Sequence, residues 1–171
     1  MLLEVDNLSD SWSPLAFSVE VDDGSLDEGF ALTGPVEMRV EVRRKDARVQ
    51  FRGDFNAPGT NECSRCLATT PIVVAAPFDV FYTAVSAADD AEDLELSEEN
   101  LGVAEFTGDT LDLNEFAREQ LVLNLPARVL CREDCAGLCE TCCANKNLSP
   151  CGCVTETIDP RWQALKGLVD G

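Results

Sequence analysis

Val36-Glu37-Met38-Arg39-Val40-Glu41-Val42 alternates apolar and polar residues without a break. Side chains of a strand point alternately to two faces, so this run makes one apolar face and one charged face. After Arg43-Arg44-Lys45-Asp46 the pattern resumes at Val49-Gln50-Phe51. A short polar interruption between two such runs predicts a β-hairpin. Upstream, Phe17-Ser18-Val19-Glu20-Val21 alternates in the same way. Downstream, Ile72-Val73-Val74 and Phe78-Asp79-Val80-Phe81-Tyr82 read as one strand or two, with Pro77 between them. Proline lacks the donor that a ladder needs, so Pro77 predicts a sheet edge or a bend. Gly24, Gly29 and Gly34 are scattered and read as turn residues rather than a phosphate-cradling loop.

Around this β region the helical signals are few. Asp112 is a candidate N-cap, with Glu115 three residues on as in a capping box. Leu113, Phe116, Ala117 and Leu121 then fall on one helical face, and Pro126 closes the segment. Asp159-Pro160 offers a second helix start, with Trp162, Leu165 and Val169 on one face. The expected class is therefore α+β. An N-terminal antiparallel region of hairpins, a small sheet or a barrel carries one or two short helices, and a cysteine-rich zinc-binding segment follows. The expected division is a β-rich domain over residues 1–126, holding an acidic loop (86–110) and a helix (112–124), and a segment over 127–171. No internal repeat is visible beyond the recurrence of cysteine pairs.

The chain has 171 residues, 32 acidic against 13 basic, for a formal charge of −19. Such a balance opposes non-specific nucleic-acid binding, where cations must neutralise phosphates. It suits basic partners, or a saline cytosol in which acidity is general. Asp89, Asp90, Glu92, Asp93, Glu95, Glu98 and Glu99 stand together without a basic residue between them. Repulsion at that density predicts an extended, solvated loop. The first residues, Met1-Leu2-Leu3-Glu4-Val5-Asp6, lack the basic start and apolar run of a signal peptide. No window is apolar enough to span a bilayer. A cytoplasmic location is expected, with no membrane partner and no small-molecule substrate. The chain has no histidine, which removes the commonest general base and the usual ligand of catalytic zinc. No enzymatic activity is expected.

Nine cysteines are many for a reducing compartment, and an odd number leaves one over from any disulfide framework. They fall as Cys63-x2-Cys66, then Cys131-x3-Cys135-x3-Cys139-x2-Cys142, with Cys143 directly after, and last Cys151-x-Cys153. Two residues between cysteines let one turn aim both sulfurs at a single ion. The count predicts one or two structural Zn²⁺ ions held by Cys63, Cys66, Cys131, Cys135, Cys139, Cys142, Cys151 and Cys153. One grouping sets Cys63, Cys66, Cys131 and Cys135 around one ion and the remaining four around another. A second grouping joins Cys63/Cys66 with Cys139/Cys142. Spacing does not choose between them. In either, the first pair clamps the β region to the C-terminal segment, and Cys143 is spare. An iron–sulfur cluster or a redox C-x2-C are the competing chemistries.

The order of these features resembles the YceD family. The residues that carry the likeness are Cys63-Ser64-Arg65-Cys66-Leu67, a helix ending in Leu125-Pro126, and Cys131-x3-Cys135-Ala136-Gly137-Leu138-Cys139-x2-Cys142. Asn145-Lys146-Asn147-Leu148, Cys151-x-Cys153 and Asp159-Pro160-Arg161 complete it. The resemblance implies a role in accumulation of large-subunit ribosomal RNA, hence in ribosome assembly, and a gene often adjacent to that of a small, basic ribosomal protein. It also implies that the metal supports the structure, since some members lack part or most of the cysteines. Glu140 and Cys143 depart from the pattern, standing where such a knuckle commonly has Pro and Gly. The expectation is a second site that is distorted, weaker, or ligated with Cys143 in place of a neighbour.

Three functions follow. In the first, a non-enzymatic assembly factor acts through protein contacts with basic ribosomal proteins. Residues 86–125 carry twelve acids and one base, which suits a cationic tail. In the second, the protein binds the large-subunit rRNA precursor directly through a hairpin patch of Arg39, Arg43, Arg44, Lys45, Arg48 and Arg52, with Phe51 and Phe55 stacking on bases. In the third, it is a metal-dependent redox sensor, with Cys143 as the thiol to watch.

Overall fold

The computed structural model describes residues 1–21, 26, 29–46, 48–84, 103–153 and 161. Most of the acidic run and the predicted C-terminal helix at Trp162, Leu165 and Val169 lie outside the described residues, as does Gly24. The elements are β1 (Leu2–Glu4), a 3-10 turn (Val5–Asn7), β2 (Ser13–Val19), β3 (Phe30–Leu32), β4 (Val36–Lys45), β5 (Arg48–Glu62), β6 (Thr69–Ala84), β7 (Val103–Phe106), β8 (Thr110–Asp112) and α1 (Leu113–Leu123). This is a mostly β architecture with one helix, within the α+β class.

The main sheet has the order β2-β4-β5-β6-β7, with β3 pairing the far half of β5. All pairs are antiparallel except β6–β7, and β1 pairs β8 separately. The alternation in β4 does what its pattern requires. Val36, Met38, Val40 and Val42 are buried on one face, and the residues between them lie on the other. In register, Met38 and Val42 stand opposite Phe55 and Phe51. Helix α1 lies over this apolar face with Leu113, Phe116, Ala117 and Leu121 buried. The Phe116 ring centroid is 4.9 Å from Phe51 and 5.3 Å from Phe78, the latter edge-on. Asp112 caps the helix, accepting the Asn114 backbone N–H at 2.9 Å. The core runs along this face, from Val42, Val49, Phe51 and Tyr82 to Val36, Phe30, Ala57 and Val74.

Four expectations need correcting. The first hairpin forms as expected, but its turn is tighter than the polar interruption Arg43–Asp46 suggests. Strand β4 continues to Lys45, and the chain reverses at Asp46, whose φ of 57° is a left-handed conformation that Asp tolerates. The run Phe17–Val21 is shifted, since the strand occupies Ser13–Val19. Residues 103–106 and 110–112, assigned to the acidic loop or its border, form β7 and β8. The largest difference is length. The short run around Phe51 is part of a 15-residue strand, and the two runs about Pro77 are one 16-residue strand. Pro77 sits where no described strand pairs the second side of β6, because β7 reaches only Phe81–Ala84.

Glycines and prolines inside β5 are what disguised it. Gly53 pairs with Val40 in the middle of the β4–β5 ladder, while Pro58 and Gly59 lie where β5 leaves β4, whose pairing ends at Asn56, and meets β3. A Cβ on Gly53 would stand 2.0 Å from the Arg39 carbonyl oxygen, and one on Gly59 2.7 Å from the Phe30 ring. Both positions need hydrogen for close approach. The result is a two-stranded ribbon, β5–β6, about 50 Å long at ~3.3 Å per residue. Its far tip is the loop Cys63–Ala68. Gly53→Ala is expected to destabilise the fold by about 3 kcal/mol, since the obstructing atom is backbone and the β4–β5 ladder must open. A urea titration should show a lower midpoint with an unchanged slope.

Candidate metal centres

The ribbon tip is a tight turn. The Leu67 N–H donates to the Cys63 carbonyl at 2.9 Å, and the Cys63 N–H to the Ala68 carbonyl at 2.9 Å. Segment 129–138 wraps around it. The Ser64 N–H donates to the Val129 carbonyl at 2.8 Å, and the Leu138 N–H to the Arg65 carbonyl at 3.1 Å. The Arg65 guanidinium reaches the Cys135 carbonyl at 2.8 Å. Gly137, at φ 73°, lies under Arg65, where a Cβ would come 3.1 Å from the carbonyl oxygen.

These bonds gather Cys63, Cys66, Cys131 and Cys135, whose sulfurs all lie within 4.8 Å of one another. Cys63 and Cys135 are 3.8 Å apart, and Cys66 and Cys131 3.7 Å. A disulfide needs about 2.05 Å, so these are not bonded pairs. Four ligands at ~2.3 Å in a tetrahedron are themselves separated by about 3.8 Å, so the two distances fit one tetrahedral thiolate site. Cys63, Cys66 and Cys135 are buried and packed by Leu130 and Leu138, while Cys131 is exposed.

The second cluster is Cys139, Cys142, Cys151 and Cys153, also within 4.8 Å. Of the two groupings open to the sequence, the fold makes the one that keeps Cys63/Cys66 with Cys131/Cys135. Its turn repeats the first in detail. The Cys143 N–H donates to the Cys139 carbonyl at 2.8 Å, and the Cys139 N–H to the Ala144 carbonyl at 2.8 Å. Leu67 and Cys143, each directly after its C-x2-C, take φ of 58° and 56°. Both occupy the left-handed position where glycine is easiest. The departure at Cys143 therefore costs backbone strain but leaves the turn's hydrogen bonds in place. Cys143 is exposed and belongs to neither cluster. The second cluster is more open than the first, with only Cys139 buried.

Backbone amides set the charge of the sulfurs. N–H groups of Cys131, Arg65 and Cys66 hold Cys63 down to about 6, and those of Cys142 and Thr141 do the same for Cys139. Burial and shared hydrogen bonds with Cys135 and Cys66 push Cys131 up to about 12. Contacts with Cys142 and Cys139 push Cys153 up to about 12. Each cluster thus sets a low-lying thiolate beside thiols held high, and a dication bound there would displace the remaining thiol protons.

Asn147 was part of the run that carries the family likeness, but the sequence assigned it no role. Its amide N–H₂ donates to the Cys135 sulfur at 3.3 Å and to Asn145 Oδ1 at 2.9 Å, while its Oδ1 accepts from the Ala136 N–H at 2.8 Å and from Arg132 at 2.7 Å. It ties the loop after the second turn to the first cluster. The signal was the polar triplet Asn145-Lys146-Asn147 between two cysteine groups, since Asn bonds nearby backbone readily.

The hairpin arginines are placed differently from the expectation. By register, Arg39, Arg43, Lys45, Arg48 and Arg52 share the outer face of the sheet, but Arg44 is on the other. Arg44 pairs with Asp6 at 2.6 Å. Arg39 pairs with Asp54 at 2.9 Å and Arg52 with Glu41 at 2.8 Å. Arg43 donates to Gln50, which donates to Asp79 at 2.7 Å. Arg43 and Arg52 also stack on Trp12, at 4.3 and 3.8 Å from its ring centroid. Phe51 and Phe55 are each 1 % exposed and have no face to offer a base, which removes them from the proposed RNA surface.

A family model described as "Large ribosomal RNA subunit accumulation protein YceD" matches residues 51–169, from the middle of β5 through every cysteine. The chain belongs to the YceD family. Among curated proteins, uncharacterized proteins of Mycobacterium tuberculosis and Mycobacterium bovis are each 33% identical over 141 residues, covering 82% of this chain and 63% of their own length. One of Mycobacterium leprae is 26% identical over 135 residues, covering 79% of this chain and 59% of its own. The chain therefore spans about three fifths of the curated relatives it matches. No solved structure matches significantly. No helix among the described residues is long and apolar enough to cross a membrane.

Two predictions follow from the geometry of this YceD-family chain. Asn147→Ala should loosen an ion at the first cluster by about 10- to 100-fold, as losing a hydrogen bond to a ligand does elsewhere; competition with a chromophoric chelator measures it. Cys143→Gly and Leu67→Gly should each raise stability by about 1 kcal/mol by relieving the left-handed conformation, read as a higher denaturation midpoint.

Proposed function

We propose that this protein is a non-enzymatic factor in ribosome assembly that supports accumulation of large-subunit ribosomal RNA through contacts with a basic ribosomal protein. The family supports a ribosome-related role. In this reading it works in the cytoplasm, and each cysteine cluster holds one structural zinc ion. Zinc suits four thiolates at tetrahedral spacing in a site with no open position, an arrangement that serves structure rather than catalysis.

The observation that favours protein contacts over RNA contacts is the state of the outer arginines. Arg39, Arg43 and Arg52 are interleaved with Asp54, Glu41 and Asp79. Exposed ion pairs are worth only about 0–1 kcal/mol, so breaking them would not bar RNA. What opposes RNA is the carboxylates left behind, which would face phosphates on a protein already at −19. A cationic ribosomal protein meets the opposite field. RNA, with its higher charge density, would then displace this protein from it.

Retention on immobilised protein at physiological salt tests this. A basic large-subunit protein should be retained, and released as salt rises, while a large-subunit rRNA transcript should pass through. Retention of the transcript, lost in Arg39→Glu/Arg43→Glu/Arg52→Glu, would replace this reading with direct RNA binding.

A further inference from the structure

A groove of about 500 Å³ opens between β7, β8 and the exposed side of α1. Phe51, Tyr82, Phe106 and Phe116 line its floor; all four are buried, and Tyr82 and Phe106 reach the groove most, at 7 and 9 % exposed. Its rim is acidic: Glu105 from β7, Asp112 from the cap, and Glu115 and Glu119 from the helix. No basic side chain is among the lining residues. The volume lies in the range of ~300–1,000 Å³ that holds a small ligand or a side chain with part of its backbone.

Two of the four acids have local reasons to be there. Asp112 caps α1 and also faces the terminal amine of Met1 at 3.4 Å, and Glu115 sits in the first turn, where the helix dipole favours a negative charge. Glu105 is on a strand and Glu119 lies beyond the first turn, so neither reason applies to them. Glu119 is instead held by the Tyr82 hydroxyl, which donates to its Oε2 at 2.9 Å. Burial, and then the charge of Glu119, push the Tyr82 phenol upward, so the hydroxyl remains a donor. One oxygen of Glu119 is thereby fixed and the carboxylate is aimed. Glu115 and Glu119, four residues apart on one face, repel each other and gain from a cation placed between them.

We propose that this groove is the docking site for an arginine side chain of the basic partner. A guanidinium is planar, weakly hydrated and carries donors in a fork that can bridge two of the rim carboxylates. The ammonium of lysine is a compact, strongly hydrated charge that cannot span them with such a fork. The proposal rests on the protein-contact reading above and deepens it, by separating a shaped site from the acidic run of residues 89–99, which offers charge alone.

The test uses an acetylated, amidated hexa-arginine peptide with a fluorescent label, followed by anisotropy, with amide chemical shifts to map its site. Glu105→Gln/Glu115→Gln/Glu119→Gln should weaken binding about tenfold, and the matched neutralisation Asp89→Asn/Asp90→Asn/Asp93→Asn about twofold, the loss that three units of screened net charge bring. Hexa-lysine should bind about threefold or more weakly than hexa-arginine to the unaltered chain. Tyr82→Phe, which keeps the floor and frees Glu119, should weaken the peptide without altering the far-ultraviolet spectrum. Shifts confined to residues 105–106 and 115–119 are expected. Equal loss in the two triple variants, or equal binding of hexa-lysine, overturns the groove. A groove variant that still retains a basic ribosomal protein at full strength also overturns the groove and leaves the protein-contact reading standing. Failure of the unaltered chain to retain any such protein overturns that reading itself.

Discussion

Four sulfurs at the tip of one hairpin hold together stretches of chain about 65 residues apart. The β4–β5–β6 core and α1 need no such device, because their apolar faces cover one another. The segment from Val129 to Cys153 does, since among the described residues it has no strand or helix of its own and little apolar surface. Closing a loop of that length costs about 4 kcal/mol. Hydrogen bonds such as those of Ser64, Leu138 and Asn147 bring about 1 kcal/mol each. Structural zinc in small peptides is worth about 10–16 kcal/mol. An ion at the first cluster would thus outweigh the closure several-fold, whereas bonds alone come close to balancing it. The tip and its wrapping segment are organised around the sulfurs, and the sheet is not.

The two turns show how little sequence that organisation needs. Both have the same two backbone hydrogen bonds, the same left-handed residue after the second cysteine and the same low-lying first thiolate. Neither has the glycine or proline that would make the turn easy. Leu67 and Cys143 accept the strain because the turn is determined from outside, by the ribbon in one case and by the short bridge of Leu138 with Asn145 in the other. Difference in burial, not in turn geometry, separates the clusters. The first is packed by Leu130 and Leu138, and the second stands open to solvent on most of its sulfurs.

Much of the fold was legible in the residues. The period of two in Val36–Val42, the cap at Asp112 and the face of Leu113, Phe116, Ala117 and Leu121 each describe what the structure contains, because each records local physics. What was not legible is non-local. Gly53 and Gly59 look like interruptions until the Arg39 carbonyl and the Phe30 ring are known to press on them. The parallel pairing of β7 with β6 leaves no pattern in four residues. The division of the sulfurs between two clusters depends on which segments the ribbon tip meets, and C-x2-C, C-x3-C and C-x-C spacings are compatible with more than one answer. The hairpin arginines counted as a patch in the sequence, where Arg44 is next to Arg43. In the strand, neighbours point to opposite faces, and the acids between them are seated beside them.

The same alternation explains why acidity is distributed as it is. On the outer face of the main sheet, acids and bases interleave across β4, β5 and β6, with Arg39 paired to Asp54, Arg52 to Glu41 and Arg43 joined to Asp79 through Gln50, so the face is muted there. Along β7 and α1 the acids face a groove whose lining holds no base. Net charge alone would attract any cation equally to every part of the molecule, and screening would erase most of that attraction within about 8 Å at physiological salt. A carboxylate aimed by a tyrosine into a groove is not erased in this way, because a cation would have to give up water to enter. In the reading proposed above, the excess of negative charge would bring a basic partner near and the groove would decide how it sits. That separation of tasks would let one chain be strongly acidic without being indiscriminate.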